Sequence, residues 1–356
     1  MNGSTKQSRP VICPLNNELC LETASTNKTV LADTTSSPGD EELCLAGPSD
    51  YQAVVDIDHN IYCGFDALPY HYPSFIQGPG VRGYIYKKGN RVVAFVSAHL
   101  VDGGQTLTGT SGRLAPDCRG SGTFGRFLRS VYQQYREAPD LRFITTATGS
   151  GIMTVHGHRM LKMFPTKILE KVEKYWTIDA GALGNVPVQQ PDCFGVRELS
   201  RQDVHAMMCR STDQLRHLFP EGRAVFVFKP YRIMAANTDV ILRQNNVFLA
   251  SGGNLSLRRD APLFPGTLLT IGWYYTCKRG VCYNIDIYGK GSEEELRAHF
   301  EVHVMRWANV ARAGETVLFT GFPCHMSEGI EKALRMLPLT ASTEDRVVVV
   351  EGPYTH

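Results

Sequence analysis

Gly112-Arg-Leu-Ala-Pro-Asp-Cys-Arg-Gly-Ser-Gly-Thr-Phe-Gly-Arg-Phe-Leu128 decides how this chain is read. A strand from Thr106 ends at Leu114, Pro116 marks a loop, and Arg119-x-x-Gly122 opens a helix expected to run to about Arg136. In that helix Phe124, Phe127, Leu128 and Val131 recur at the i, i+3, i+4, i+7 spacing of one apolar face. Gly120 to Gly122 leave the first-turn N–H groups uncovered, where orphan donors and partial positive charge gather. Such an end suits a phosphate or pyrophosphate, and Arg119 adds a charge-assisted donor. An ordinary turn is the other reading of so short a motif, so its surroundings must decide.

The chain has 356 residues, 43% hydrophobic and 20% charged, the values of a globular protein with two cores of ordinary size. A net charge of +2 gives no electrostatic footprint for nucleic acid or an anionic membrane. No apolar run approaches the roughly 20 residues of a membrane span, and the N-terminus lacks the apolar segment of a secretory signal. A cytoplasmic location is expected. The ten cysteines are scattered, and in such a chain they are expected to be reduced. Cys277-x4-Cys282 flanks Lys278-Arg279-Gly280 and reads as facing positions of a hairpin rather than a metal site. His299 and His303 stand one helical turn apart, but Phe300 occupies the position where a zinc-peptidase helix needs Glu. A solvated helix face is expected there, and no metal.

Outward from the opening motif, residues 1–40 form a tail expected to be disordered. Ser49 and Gln52 read as a capping box before a helix carrying Tyr51, Val54 and Val55. The loop Tyr62-Cys-Gly-Phe-Asp-Ala-Leu-Pro-Tyr-His-Tyr72 is rich in aromatics, which either pack or line a substrate pocket. Strands follow at 81–86, 91–100, 141–146 and 167–178, with a second helix at 156–163 stopped by Pro165. Residues 180–192 read as a linker. Beyond it the order strand 281–288, helix 293–309 capped by Ser292 and Glu295, strand 315–322, helix 327–337, strand 346–351 echoes the first half. No Arg/Gly loop recurs there, so a second cofactor site is not expected.

The element order of the first half, with Arg119-x-x-Gly122-x-Phe124, resembles the GNAT N-acetyltransferases. Asn60-Ile-Tyr-Cys-Gly-Phe-Asp-Ala-Leu-Pro69 is similar to a segment of the histidine N-acetyltransferase family. Pro230-Tyr231-Arg232 and Tyr283-Asn-Ile-Asp286 resemble its C-terminal region. The resemblance implies a mixed α+β architecture: a GNAT acetyl-CoA-binding domain at 41–179 and a degenerate GNAT-like domain at 193–356. It implies acetyl transfer from acetyl-CoA to a small-molecule amine, with the α-amine of histidine or another free amino acid as the acceptor. Leu114 would polarise the thioester through a backbone N–H, and Arg119, Gly120, Ser121, Gly122, Thr123 and Phe124 would hold the pyrophosphate. Tyr62, Asp66 and Tyr72 would line the substrate pocket.

Three positions depart from the family pattern. Phe124 replaces a small residue, Thr110 stands where relatives carry Glu, and Phe164 stands where they carry Tyr. The usual base and acid are therefore missing. Asp66, His99 and Asp102 are the remaining candidates for the base, with Asp66 also the group expected to draw the substrate amine. The competing reading is a non-catalytic GNAT-like protein that binds acyl-CoA as a sensor or scaffold. Acetylation of protein N-termini or lysines would need an open peptide groove.

Overall fold

The computed structural model describes residues 41–59, 61–183, 195–226, 228–242, 246–252, 267–311, 315–335 and 341–355, with 337 and 339. The expected N-terminal tail and linker residues 184–192 lie outside the described residues. The first half begins β1 (Glu41–Leu45), α1 (Tyr51–Val55), α2 (Leu68–Ile76), β2 (Gln77–Gly78), β3 (Val81–Lys88) and β4 (Arg91–Val101). It continues β5 (Thr106–Leu114), α3 (Thr123–Gln133), β6 (Phe143–Gly149), α4 (Ser150–Met163) and β7 (Thr166–Asp179). After α5 (Ala180–Leu183) come β8 (Arg197–Glu198), α6 (Arg201–Met208), β9 (Arg223–Phe226), β10 (Lys229–Arg232), α7 (Thr238–Leu242) and β11 (Val247–Ser251). The chain closes with β12 (Leu268–Cys277), β13 (Gly280–Gly289), α8 (Glu293–Val310), β14 (Glu315–Phe322), α9 (Ser327–Leu334) and β15 (Ala341–Pro353).

The order β5-α3-β6-α4-β7 in the first half recurs as β13-α8-β14-α9-β15 in the second. Both halves join one continuous sheet, ordered β1-β3-β4-β5-β6-β15-β7-β14-β13-β12-β11-β8, with β2 on β3. The last strand of each half inserts into the other: β15 lies between β6 and β7, and β7 in turn pairs with β14. Neither half closes its own sheet.

Local chemistry sets several boundaries. Ser292 Oγ accepts from the N–H of Glu295, and the Glu295 carboxylate accepts from the N–H of Ser292, so α8 starts on the expected box. At α1 the expected Ser49 box is absent. There the Asp50 carboxylate accepts from the N–H of Gly47 at 2.8 Å. Helix α4 starts six residues before the expected His156, running through Gly151 and Gly157, both buried. Tertiary packing there outweighs the low helix propensity of glycine.

His299 and His303 are corrected more sharply. Both are fully buried, and Thr270 Oγ1 lies 2.7 Å from His299 Nδ1 and 2.9 Å from His303 Nε2. Burial lowers both, His299 to about 3, so they are neutral core residues. Cys277 and Cys282 do share the β12–β13 hairpin, as diagonal rather than facing neighbours. Cys277 opposes Gly280 and Cys282 opposes Tyr275, with the sulfurs 3.4 Å apart.

The centre of the sheet holds a buried charge row. On β7, Glu173 lies between Gly321 of β14 and Asp345 of β15. Lys171 is 3.9 Å away but its ammonium sits on Asp286. Burial therefore outweighs the pull of Lys171 and, with Asp286 and Asp345 adding repulsion, pushes the Glu173 carboxyl up to about 8. Its ordinary value is 4.5. The folded form thus keeps a proton that the unfolded chain releases. Stability from this group is full below the unfolded value and is lost as pH rises toward 8. Glu173→Gln should match the native protein at about pH 4 and exceed it by a few kcal/mol at about pH 8.5. Urea unfolding at both pH values checks this, and no gain at the higher one would refute it. Among the described residues no helix is long and apolar enough to cross a membrane.

Candidate active site

Strands β5 and β6 run parallel but pair only over Thr106–Thr108 with Phe143–Thr145. Beyond that point they part, and a cleft of about 2090 Å³ opens between them, bordered by α3 and α4. The corresponding strands of the second half, β13 and β14, stay paired from Cys282–Asp286 to Val317–Gly321, so no such gap forms there.

The Arg/Gly loop borders this cleft. Gly120 (φ 76°) and Gly122 (φ 77°) both adopt the left-handed conformation that a side chain disfavours. Gly122 is the N-cap of α3 and no side chain caps that end, which leaves its first-turn N–H groups for a ligand. Leu114, Arg119, Gly120, Ser121, Gly122 and Phe124 all line the cleft. Thr123 does not: it is buried, with its hydroxyl 2.7 Å from Ser121 Oγ, so only its backbone belongs to the loop. Arg119 also differs from expectation. Its N–H donates to Pro116 and its guanidinium to Asp58 at 2.5 Å, so it braces the loop as well as facing the cleft.

Phe124 is accommodated from the opposite wall. A Cβ on Gly112 would come within 2.9 Å of Phe124 Cζ, so the ring occupies space that a side chain at 112 would fill. The sequence reading missed the cations. Arg129 on α3 and Arg136 in the turn after it, with Arg159 and Lys162 on α4, line the cleft alongside Arg119, and Glu137 is the one carboxylate among the described lining residues. Such a wall suits a polyanion. The i, i+3 spacing of His156, Arg159 and Lys162 was the available signal. The C-terminal Pro353, Tyr354 and Thr355 also line the cleft, because β15 is inserted beside β6.

The expected substrate-side residues divide. Tyr62 lines the cleft with a strained backbone (φ 51°), and burial raises its hydroxyl. Tyr72 does not line it. It is 3% exposed, donates to the Gly47 carbonyl at 3.0 Å and packs against Phe95 in the core. Asp66 is held by Arg113, whose Nη2 donates to both its oxygens at 3.1 and 2.9 Å. It also accepts from the N–H of Leu68. With its charge matched in this way, Asp66 orients Arg113 instead of waiting for an amine.

His99 is excluded as a base facing the cleft. Ser97 Oγ donates its one proton to the Phe75 carbonyl at 2.6 Å. The 2.8 Å contact between Ser97 Oγ and His99 Nε2 therefore requires the imidazole to donate there. Thr110 Oγ1, which does line the cleft, faces that same nitrogen at 3.1 Å. Burial, then the charge of Lys229, keeps His99 neutral. Asp102 lies elsewhere, fully buried among Arg223, Arg232 and Asn237. Phe164 lines the cleft but carries no proton.

Comparison with known proteins agrees with this geometry. Residues 193–322 match the family model for the histidine N-acetyltransferase C-terminal region. The histidine N-acetyltransferase of Xenopus tropicalis is 23% identical over 283 residues, covering 75% of this chain and 82% of the relative. That of Scomber australasicus is 22% identical over 278 residues, covering 74% and 79%. Among solved structures, a tandem GNAT protein from the clavulanic acid biosynthesis pathway superposes with a TM-score of 0.52 at 12% identity, covering 89% of this chain and 99% of that one.

Proposed function

We propose that this chain, a GNAT-superfamily N-acetyltransferase most like the histidine N-acetyltransferase family, moves the acetyl group of acetyl-CoA to the amine of a small molecule, with a free amino acid such as histidine as the leading acceptor. The observation that carries this reading is the splayed β5/β6 cleft, with two left-handed glycines and an uncapped helix at its phosphate end. The cations of α3 and α4 suit the remaining charge of the co-substrate. Acetyl-CoA brings an already activated thioester. The protein's part is to hold the acyl group against the open edge of β5 near Leu114 and to align an amine with it. The paired strands β13 and β14 favour a single acyl-CoA per chain. The division into a domain at 41–179 and another at 193–356 is proposed as two lobes that share exchanged strands.

Among the described residues no carboxylate or lone-pair imidazole stands at Thr110, which supports the non-catalytic acyl-CoA binder as a second reading. Magnitudes still permit catalysis. A thiol leaves readily with a pKa of about 8.5, and an amine one or two units above ambient pH loses only about 1.4–2.7 kcal/mol by reacting as its neutral form. Release of CoA should therefore be measurable with a panel of free amino acids and simple amines. Turnover with one member supports the enzyme. Tight acetyl-CoA binding with no turnover on any of them would replace it with the second reading.

A further inference from the structure

A buried cation stands near Thr110, and among the described residues a single carboxylate, Asp66, is bound to it. Arg113 follows on the same strand. The left-handed residue Ser111 (φ 53°) shifts the β4–β5 register, so that Arg113 opposes Phe95 and its guanidinium lies 6.0 Å from that ring. The Arg113 side chain is 1% exposed. Its Nη2 donates to Asp66, while Nε and Nη1 are buried with no acceptor.

Buried donors without acceptors are costly, and more so when the group is charged. Here they belong to Arg113, which lines the cleft together with Thr110, a residue that adds no negative charge. A planar guanidinium held on one side by Asp66 presents its remaining N–H groups in the geometry that suits a carboxylate. We propose that Arg113 receives the carboxylate of the acceptor, so that the acceptor is an amino acid and simple amines are discriminated against. This rests on the reading of the cleft as an acetyl-transfer site. Asp66 is then a positioning residue that orients Arg113, and the anchored carboxylate fixes where the amine stands.

The test uses histidine, histidinamide and histamine with the full chain. CoA release is measured alongside calorimetric titration of the same three compounds into the CoA-bound protein. The native protein should favour histidine over histamine by about tenfold or more, mainly through KM. Arg113→Gln should lower kcat/KM for histidine by about 10- to 100-fold and bring the histidine-to-histamine ratio close to one. Arg113→Lys should recover part of the preference. If Arg113→Gln fails to fold, Asp66→Asn, which removes the charge that orients the guanidinium, should compress the ratio independently. Carboxylate-dependent binding without turnover would uphold this inference and remove the acetyl-transfer reading. No carboxylate-dependent difference in either measurement, or equal losses for all three compounds in both variants, would overturn the inference itself.

Discussion

Replacing Asp102 with Ala should cost about 3–5 kcal/mol of stability, the loss expected when a buried charge network loses one member. Asp102 directly follows β4 in the first half, fully buried and with a left-handed backbone (φ 57°). Its carboxylate accepts from the N–H of Arg232 at 2.9 Å and from Asn237 Nδ2 at 2.7 Å, and lies 3.4 Å from Arg223 Nη1. Arg223 and Arg232 also reach Glu351 on the exchanged strand β15. Two carboxylates thus balance two guanidiniums across both halves. Removing one leaves excess positive charge where water cannot screen it. Asp102→Asn should cost less, because it keeps the shape, tolerates the left-handed backbone and retains an acceptor oxygen. Asp117→Ala is the control: its pair with Arg91 is more than half exposed, so its loss should stay below about 1 kcal/mol. Urea unfolding of the three variants decides the matter. If Asp102→Ala is no worse than Asp117→Ala, the network does not hold the halves together.

The second large effect is expected at Gly122. A valine there must adopt φ near 77°, which β-branched residues rarely do, and its side chain would cover the uncapped end of α3. Losing two or more charge-assisted contacts to a pyrophosphate should weaken acetyl-CoA binding by about 100-fold or more. Arg119→Ala should do much less, below about tenfold, because the guanidinium is already engaged with Asp58. Calorimetric titration with acetyl-CoA compares them. Unchanged affinity in Gly122→Val would move the phosphate site away from this loop.

What could be read in the sequence was local. Alternation of apolar residues, the Ser292/Glu295 box and the Arg/Gly loop depend on near neighbours along the chain, so β3, β4, β5, α3, α8 and β14 lay close to where they were expected. The repeat of strand and helix order was legible for the same reason. The tertiary structure decided the rest. Sequence spacing does not reveal that β15 would insert between β6 and β7, because strand partners are chosen by contacts across the whole chain. Nor does it show whether a polar side chain meets solvent or another side chain. His299 and His303 looked like an exposed pair and are buried on Thr270. Asp66 looked free and is bound by Arg113, while His99 donates where a base would have to accept. Residue type fixes which protons a group can give or take. Only the fold determines which of them are already committed.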